Sequence, residues 1–397
     1  MALHRTSRKN SSQLSYTNHA LPFELLGAVF SYISEDPLDL RYAIFVCRFW
    51  HNAIVRHANL WTNIILRHTF LTRFRGARLP HGDAFVRSCV SRSWPLPLHI
   101  SIHGPDCYSL YAKPKRSPLS YECFSLFKHI VSKFTESGTL FQRCRSLIWI
   151  CCYGLEEVDL VAQAFASASA PALEYLTIKD VYPEGRLVHF PRLPRLKEVT
   201  LMEYSYGFRQ PIFHDDDFAK AEKLTFIADV WSDHGVDFIR RFRNIRALIL
   251  KDPNTFHLCM LTLGGHINPV ELPLLETLSL YGMVAHQVLC LIRAPGLRKM
   301  EIEADMARGH HSLTATNLVH LVRTLECLYL SLKEGEHATS WVEELERLVA
   351  EAPVLASICI SPWMMQYLTG KEWRTRLHCI TDSDRNLRSS PMHTITK

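Results

Sequence analysis

An apolar residue at positions i, i+3 and i+5 recurs nine times between Cys144 and Ile360, and no other feature of the 397-residue chain limits its fold so tightly. The copies are CRSLIW from Cys144, LEYLTI from Leu173, LKEVTL from Leu196, AEKLTF from Ala221, IRALIL from Ile245, LETLSL from Leu275, LRKMEI from Leu297, LECLYL from Leu325 and LASICI from Leu355. Their middle apolar residues run from Leu147 to Ile358 at separations of 22–30 residues. A period of that length marks a repeat architecture, in which each unit buries its apolar face against the next.

The segments between copies are helical in character, as in GLEEVDLVAQAFASAS, VDFIRRFR and SWVEELERLVAEA. Pro171, Pro194, Pro273, Pro295 and Pro353 stand just ahead of a copy, where proline ends a helix. A strand followed by a helix at this period predicts a leucine-rich repeat solenoid over 141–380. The asparagine or cysteine that usually follows the L-x-L pair is missing; Val181, Asp229 and Met283 take its place in three units. The solenoid is therefore expected to be irregular. Alternate strand residues face opposite ways, so with Leu176 and Ile178 in the core, Tyr175, Thr177 and Lys179 face outward. Later members of that outward face are Lys251, Tyr281, Lys299, Glu301, Glu303 and Tyr329, a polar surface with aromatics, suited to binding a protein target.

The front of the chain differs. Leu21, Leu25, Leu26, Val29, Phe30 and Ile33 fall on one helical face, with Pro22 in the first turn. After Ser34-Glu35-Asp36-Pro37, the residues Leu40, Ala43, Ile44, Cys47, Trp50 and Ile54 continue the helical period, with Asp36 as N-cap. A third short element begins at Asn59-Leu60-Trp61. Phe23, Ala28, Phe45, Val46 and Phe49 lie off the main stripe, and helices apolar on several sides need cover from several sides. A unit of some 45 residues is marginal alone. It either caps the rest of the chain or completes its core with another protein.

The combination Leu21-Pro22-x-Glu24-Leu25-Leu26-x-x-Val29-Phe30-x-x-Ile33, Val46-Cys47-Arg48-x-Trp50 and Leu60-Trp61 resembles an F-box, in the style of fungal F-box-like modules. Phe85-Val86-Arg87-Ser88 with Ser91–Leu98 resembles the RS…PL strand that follows such modules. Gly27 departs from a good helix sequence, costing about 1 kcal/mol relative to alanine. The resemblance implies that the module docks on the small Skp adaptor and, through it, a cullin–RING ubiquitin ligase. It also implies that Leu21, Pro22, Leu25, Leu26, Phe30, Val46, Cys47 and Trp50 supply that interface or the core beneath it.

Composition narrows the alternatives. Apolar residues make up 47% and charged residues 21%, as in soluble globular proteins. The longest uncharged stretch, Pro253–Val270, carries two prolines, two asparagines and two histidines, which disfavours a membrane span. The polar, basic N-terminus has no apolar core of a secretory signal. Twelve cysteines lack any C-x-x-C pair, and Cys47, Cys144, Cys290 and Cys327 sit in apolar periodic segments, as expected of reduced, partly buried thiols in the cytoplasm or nucleus. Residues 1–100 hold 12 Lys/Arg against 5 Asp/Glu, so they carry +7 of the net +6 and the rest sums to −1.

Phosphate-cradling, dinucleotide, zincin and nucleophile-elbow motifs are missing from the sequence, and no catalytic residue or cofactor is expected. His310-His311 and His214-Asp215-Asp216-Asp217 lack the spacing that gathers metal ligands on one face. Cys151-Cys152 has no neighbour in sequence that would depress a thiol pKa. Arg67, Arg73, Arg75 and Arg78 mix with Phe70 and Phe74, but a solvated linker explains them without a nucleic-acid partner. Lys113-Pro114-Lys115-Arg116 is short for a nuclear signal.

The expected architecture is α/β: a basic disordered tail (1–18), a three-helix F-box-like module (19–66), a connecting segment (67–140), an irregular leucine-rich repeat solenoid (141–380) and a disordered tail (381–397). Such a chain is expected to be a substrate-recognition adaptor of a Skp–cullin–F-box ligase. The alternative is a non-catalytic repeat scaffold that joins no ligase, its front helices folded back onto the first repeats.

Overall fold

A computed structural model describes residues 21–33, 40–67, 79–103, 139–150, 170–179, 192–202, 219–227, 239–251, 269–282, 291–304, 321, 323–332, 345, 347, 350–360 and 377–379. The fold is mixed α/β. A few N-terminal helices precede a long parallel sheet, an arrangement compatible with a solenoid-like repeat.

Helix α1 spans Phe23–Ile33, α2 Leu40–Ala43 and α3 Arg48–Arg56, followed by a 3-10 turn at Ala58–Trp61 and helix α4 at Leu79–Arg92. The RS…PL strand expected over Phe85–Leu98 is thus helical as far as Arg92, with Val86 and Cys89 buried one turn apart on the helix, and a strand starts only at Leu98. The single helical run expected across Leu40–Ile54 is split at the Ile44–Cys47 corner. There Phe45 N and Val46 N close short turns onto the carbonyls of Tyr42 and Ala43. Cys47 is extended and restarts the helix, its Sγ accepting from Trp50 N at 3.5 Å. Pro22 precedes α1, and its carbonyl takes the first helical hydrogen bond, from Leu26 N at 3.0 Å.

Twelve strands form one sheet, every neighbouring pair parallel: β1 (Asn63–Arg67), β2 (Leu98–His103), β3 (Cys144–Ile150), β4 (Tyr175–Lys179), β5 (Glu198–Met202), β6 (Lys223–Ile227), β7 (Ala247–Lys251), β9 (Thr277–Tyr281), β11 (Lys299–Ala304), β12 (Cys327–Leu332), β13 (Ser357–Ile360) and β14 (Leu377–Cys379). Two-residue strands β8 (Val270–Glu271) and β10 (Ile292–Arg293) pair separately. The large sheet runs in chain order throughout. It begins at β1 and β2, ahead of the first copy of the apolar pattern.

The nine copies coincide with the strands and stack in register. Leu147, Leu176, Val199, Leu224, Leu248, Leu278, Met300, Leu328 and Ile358 are successive partners across the sheet. All are buried, as are the flanking apolar residues from Cys144 to Leu355 on one side and from Trp149 to Ile360 on the other. One continuous core results. At about 25 cal/mol per Å2 of apolar area, each such column supplies the cohesion between neighbours that no single strand has alone.

The prolines ahead of the strands have a more specific place than helix termination. Each is the second residue of a turn closed by an i+3 to i hydrogen bond: Leu173 N to Ala170 O, Leu196 N to Leu193 O, Leu275 N to Leu272 O, Leu297 N to Ala294 O and Leu355 N to Ala352 O. Proline's fixed φ suits that position. The residues on both sides of the turn are buried, so each turn tucks its chain into the core before the strand begins. Gly296 follows one such proline, and a Cβ there would meet the Pro273 carbonyl oxygen of the preceding turn at 3.1 Å.

One residue ahead of each strand, from β4 on, the backbone continues the ladder. Glu174 N donates to Arg145 O, Lys197 N to Glu174 O, Glu222 N to Lys197 O, Arg246 N to Glu222 O, Glu276 N to Arg246 O, Arg298 N to Glu276 O, Glu326 N to Arg298 O and Ala356 N to Glu326 O. These residues form a column whose sign alternates from Arg145 to Glu326.

The C-terminal end of α4 is tied to the sheet by Arg143. Its guanidinium donates to the carbonyls of Val90, Ser93 and Leu96 and to Ser93 Oγ, and lies 4.9 Å from the Trp94 ring centre.

Candidate functional site

Two surfaces offer recognition chemistry. The first is the outer side of the N-terminal helices. Their inner side is a small core of Leu26, Phe30, Leu40, Ala53, Ile54, Leu60 and Trp61, all buried. Phe30 meets Trp50 edge-on at 5.2 Å. Trp61 Nε1 donates to Ile54 O at 2.8 Å, and Arg92 of α4 lies 4.4 Å from the Trp61 ring centre. Trp61 thereby links the helices to the elements that follow. His57 stacks on Phe23, and Gly27 leaves room for its imidazole.

The outer side is apolar and open. Leu21, Leu25, Val29 and Tyr32 form an exposed stripe at helical spacing on and just before α1, while Tyr42, Phe45, Val46 and Phe49 project from the α2–α3 corner. Leu25 is 53% exposed, Val46 60% and Phe45 85%. Contiguous exposed residues of this size mark an interaction surface. The structure thus divides the eight residues singled out in this region. Leu21, Pro22, Leu25, Val46 and Cys47 are exposed, Leu26 and Phe30 are core, and Trp50 is half-buried against Phe30. Cys47 is exposed, against the expectation of a partly buried thiol, because its N-capping position at the corner turns it outward. Cys144 is fully buried as expected, and burial raises its thiol pKa. Phe45 and Phe49, off the main apolar stripe, are exposed as residues that need cover from outside, and Tyr42 joins them at the helix break of Ile44–Cys47.

The second surface is the sheet face opposite the core. Lys251, Tyr281 and Glu303 are register partners across β7, β9 and β11, and in the adjacent row so are Ser279, Glu301 and Tyr329 across β9, β11 and β12. Lys251 Nζ lies 4.5 Å from the Tyr281 ring centre. Glu301 accepts from Ser279 Oγ at 3.2 Å and is hydrogen-bonded by the Tyr281 hydroxyl. Burial raises the Tyr281 pKa, and the charge and hydrogen bond of Glu301 raise it further, so the phenol is held as a donor. Burial lowers the Lys251 pKa against the opposing pull of Glu303 and Glu301.

The structure therefore gathers Lys251, Tyr281, Glu301 and Glu303 and adds Ser279, which the alternation of β9 placed on this face although it was not singled out. Tyr175 stands elsewhere, on β4, with the Arg145 guanidinium 5.8 Å from its ring centre. Lys179 ends the same strand, its side chain outside the described residues. Lys299 is half-buried in a third row, between Thr277 and Cys327. Two residues depart from the expected solvent-facing position: Glu301 is 8% exposed and Tyr329 4%. Alternation assigned them a face, and the middle row of that face is buried at β9, β11 and β12. The cluster offers charge, hydrogen bonds and an aromatic face.

Among the described residues, no group of three or more His, Cys, Asp or Glu side chains is placed to hold a metal ion. His214–Asp217, His310-His311, Cys151-Cys152, Cys290, the side chains of the Arg67–Arg78 cluster and Lys113–Arg116 lie outside the described residues. No described helix is long and apolar enough to cross a membrane.

Comparison with known proteins bears on the N-terminal helices. Residues 19–67 match the F-box-like family, so the chain carries an F-box-like domain there. A Bacteroides fragilis protein of known crystal structure is similar at 14% sequence identity and a TM-score of 0.33, covering 67% of this chain and 84% of that one. No curated protein matches the sequence.

Proposed function

We propose that the protein is a substrate-recognition adaptor of a Skp–cullin–F-box ubiquitin ligase. The open face formed by Leu21, Leu25, Val29, Phe45, Val46 and Phe49 docks on Skp, and the strand array is a leucine-rich repeat that holds a protein target. One observation carries the reading. The domain that matches the F-box-like family leaves its large apolar residues uncovered by the chain's own strands, with Leu25 and Val46 more than half exposed. A scaffold whose front helices folded back onto the sheet would bury them. Each such residue gains about 1.5–3 kcal/mol when fully buried, so a handful supplies a stable interface.

In this reading Lys251, Tyr281 and Glu303 contribute to target binding, and Glu301 and Tyr329 support them from the adjacent, buried row. The adaptor is non-catalytic; it raises the local concentration of target lysines near a charged ubiquitin carrier. It acts in the cytoplasm, the nucleus or both. Purified full-length chain mixed with purified Skp should co-elute as one complex. Separate elution of two folded proteins contradicts the proposal.

A further inference from the structure

The apolar columns discriminate weakly among the strands of this sheet. Apart from Cys144 and Trp149, Ala221 and Phe226, and Met300, every copy presents Leu, Ile or Val at the same three buried positions. The connections favour neighbours in sequence, and a further device can add to that preference. The column at the strand entrances has the required property. Arg145, Glu174, Lys197, Glu222, Arg246, Glu276, Arg298 and Glu326 alternate in sign without exception. Each from Glu174 onward donates its backbone N–H to the carbonyl of the one before, so successive side chains stand one strand spacing apart, about 4.8 Å.

Ion pairs close four of the seven steps of the column. Glu174 is shared by Arg145 at 3.2 Å and Lys197 at 3.1 Å, Arg246 meets Glu276 at 2.7 Å, and Arg298 meets Glu326 at 3.9 Å. The column ends at Ala356, which carries no charge.

We propose that this alternation fixes the stacking order of the strands. In the native order every interior rung has an opposite charge on both sides. If one strand is looped out, its neighbours bring like charges together, as Arg145 would meet Lys197 or Glu276 would meet Glu326. Single exposed pairs are weak. What matters is that looping out any interior rung, from Glu174 to Arg298, is penalised, while the correct order is penalised nowhere. The rows on the opposite face depend on that order, since Lys251, Tyr281 and Glu303 meet only if β7, β9 and β11 are adjacent.

The proposal makes stability follow the number of like-charge steps rather than the number of substitutions. Glu276→Lys creates two such steps, against Arg246 and Arg298, and Glu326→Lys creates one. The triple variant Glu276→Arg/Arg298→Glu/Glu326→Arg also creates one, because only the step from Arg246 is faulted. Inverting all eight rungs creates none. Thermal unfolding of the full-length variants at low ionic strength should show a fall of roughly 1–3 °C per faulted step. The triple variant should then melt above the Glu276→Lys single variant, and the full inversion should match the wild type. In 1 M NaCl, where the screening length is about 3 Å, these differences should collapse. A triple variant that melts at or below the single variant, a full inversion that is destabilised, or a spread that persists in 1 M NaCl would overturn the proposal and leave only local contacts.

Discussion

His57 stacks on Phe23 with ring centroids 4.9 Å apart, and the same imidazole donates from Nε2 to the Phe23 carbonyl oxygen at 2.9 Å. One side chain just past the end of α3 thus fixes the first turn of α1. The contact requires Gly27, because a Cβ there would overlap the His57 imidazole. Helix propensity favours Gly27→Ala by about 1 kcal/mol. Displacing the imidazole loses both the stack and the hydrogen bond, about 1–3 kcal/mol, and we expect that loss to win. Chemical denaturation of Gly27→Ala should show net destabilisation, and Gly27→Ala/His57→Ala should recover part of it. A stabilised single variant would show that His57 moves aside without cost.

Arg143 is the second tie that a single substitution can test. Without its guanidinium, the carbonyls of Val90, Ser93 and Leu96 each lose a charged donor. Arg143→Ala should cost about 2–4 kcal/mol. Arg143→Lys should recover little, because one ammonium cannot reproduce the planar fork. Equal unfolding midpoints for Arg143→Lys and the wild type would contradict this.

Glu174 gives the column a pH dependence. Burial alone would raise its carboxyl pKa, but hydrogen bonds and charge from Lys197 and Arg145 outweigh burial and hold it below the usual value. A carboxylate with a depressed folded-state pKa contributes stability above its unfolded value, about 4.3, and loses it as pH falls through the folded value. The wild type should therefore exceed Glu174→Gln in stability at pH 7, with the gap closing in acid. A gap that widens as pH falls would show the opposite sign of shift.

Glu301 is expected to matter for stability before recognition. Glu301→Ala leaves Ser279 and Tyr281 without their acceptor and should cost about 1–3 kcal/mol, whereas Glu303→Ala, at an exposed position, should stay within about 0.5 kcal/mol. Equilibrium unfolding separates the two, and equal effects would mean that the buried network is not a unit.

How much of this was legible in the sequence depended on whether the signal repeats along the chain or down the sheet. The apolar triplet is local to each copy, so Leu176 with Ile178 and its counterparts marked the strands directly. The alternating column was in plain view as the residue after each leading apolar position, from Arg145 to Glu326. It stayed hidden because each charge looks ordinary until its neighbour 22–30 residues away is stacked beside it. The RS…PL resemblance implies one strand ending near Leu98, but a motif match fixes no helix boundary: its first part is helix α4, and strand β2 lies beyond it, with Leu98, Ile100 and Ile102 buried. Alternation put Glu301 and Tyr329 on the right face but cannot say whether a face is open. In the helices, periodicity grouped Leu25 with Leu26 and Phe30. Only the packing of Phe30 on Trp50, and the corner at Ile44–Cys47, separated surface from core.

That separation sharpens the test of whether the open helical face is the docking surface. Phe30→Asp would place a charge in the core and unfold the domain, whereas Leu25→Asp/Val46→Asp changes exposed positions only. The decisive measurement is the affinity of the full-length chain for purified Skp, by calorimetry, with unfolding midpoints recorded for both forms. Wild type should bind, and the double variant should lose about 100-fold in affinity with its midpoint unchanged. A folded wild type that does not bind, or a double variant that binds equally well, would contradict this.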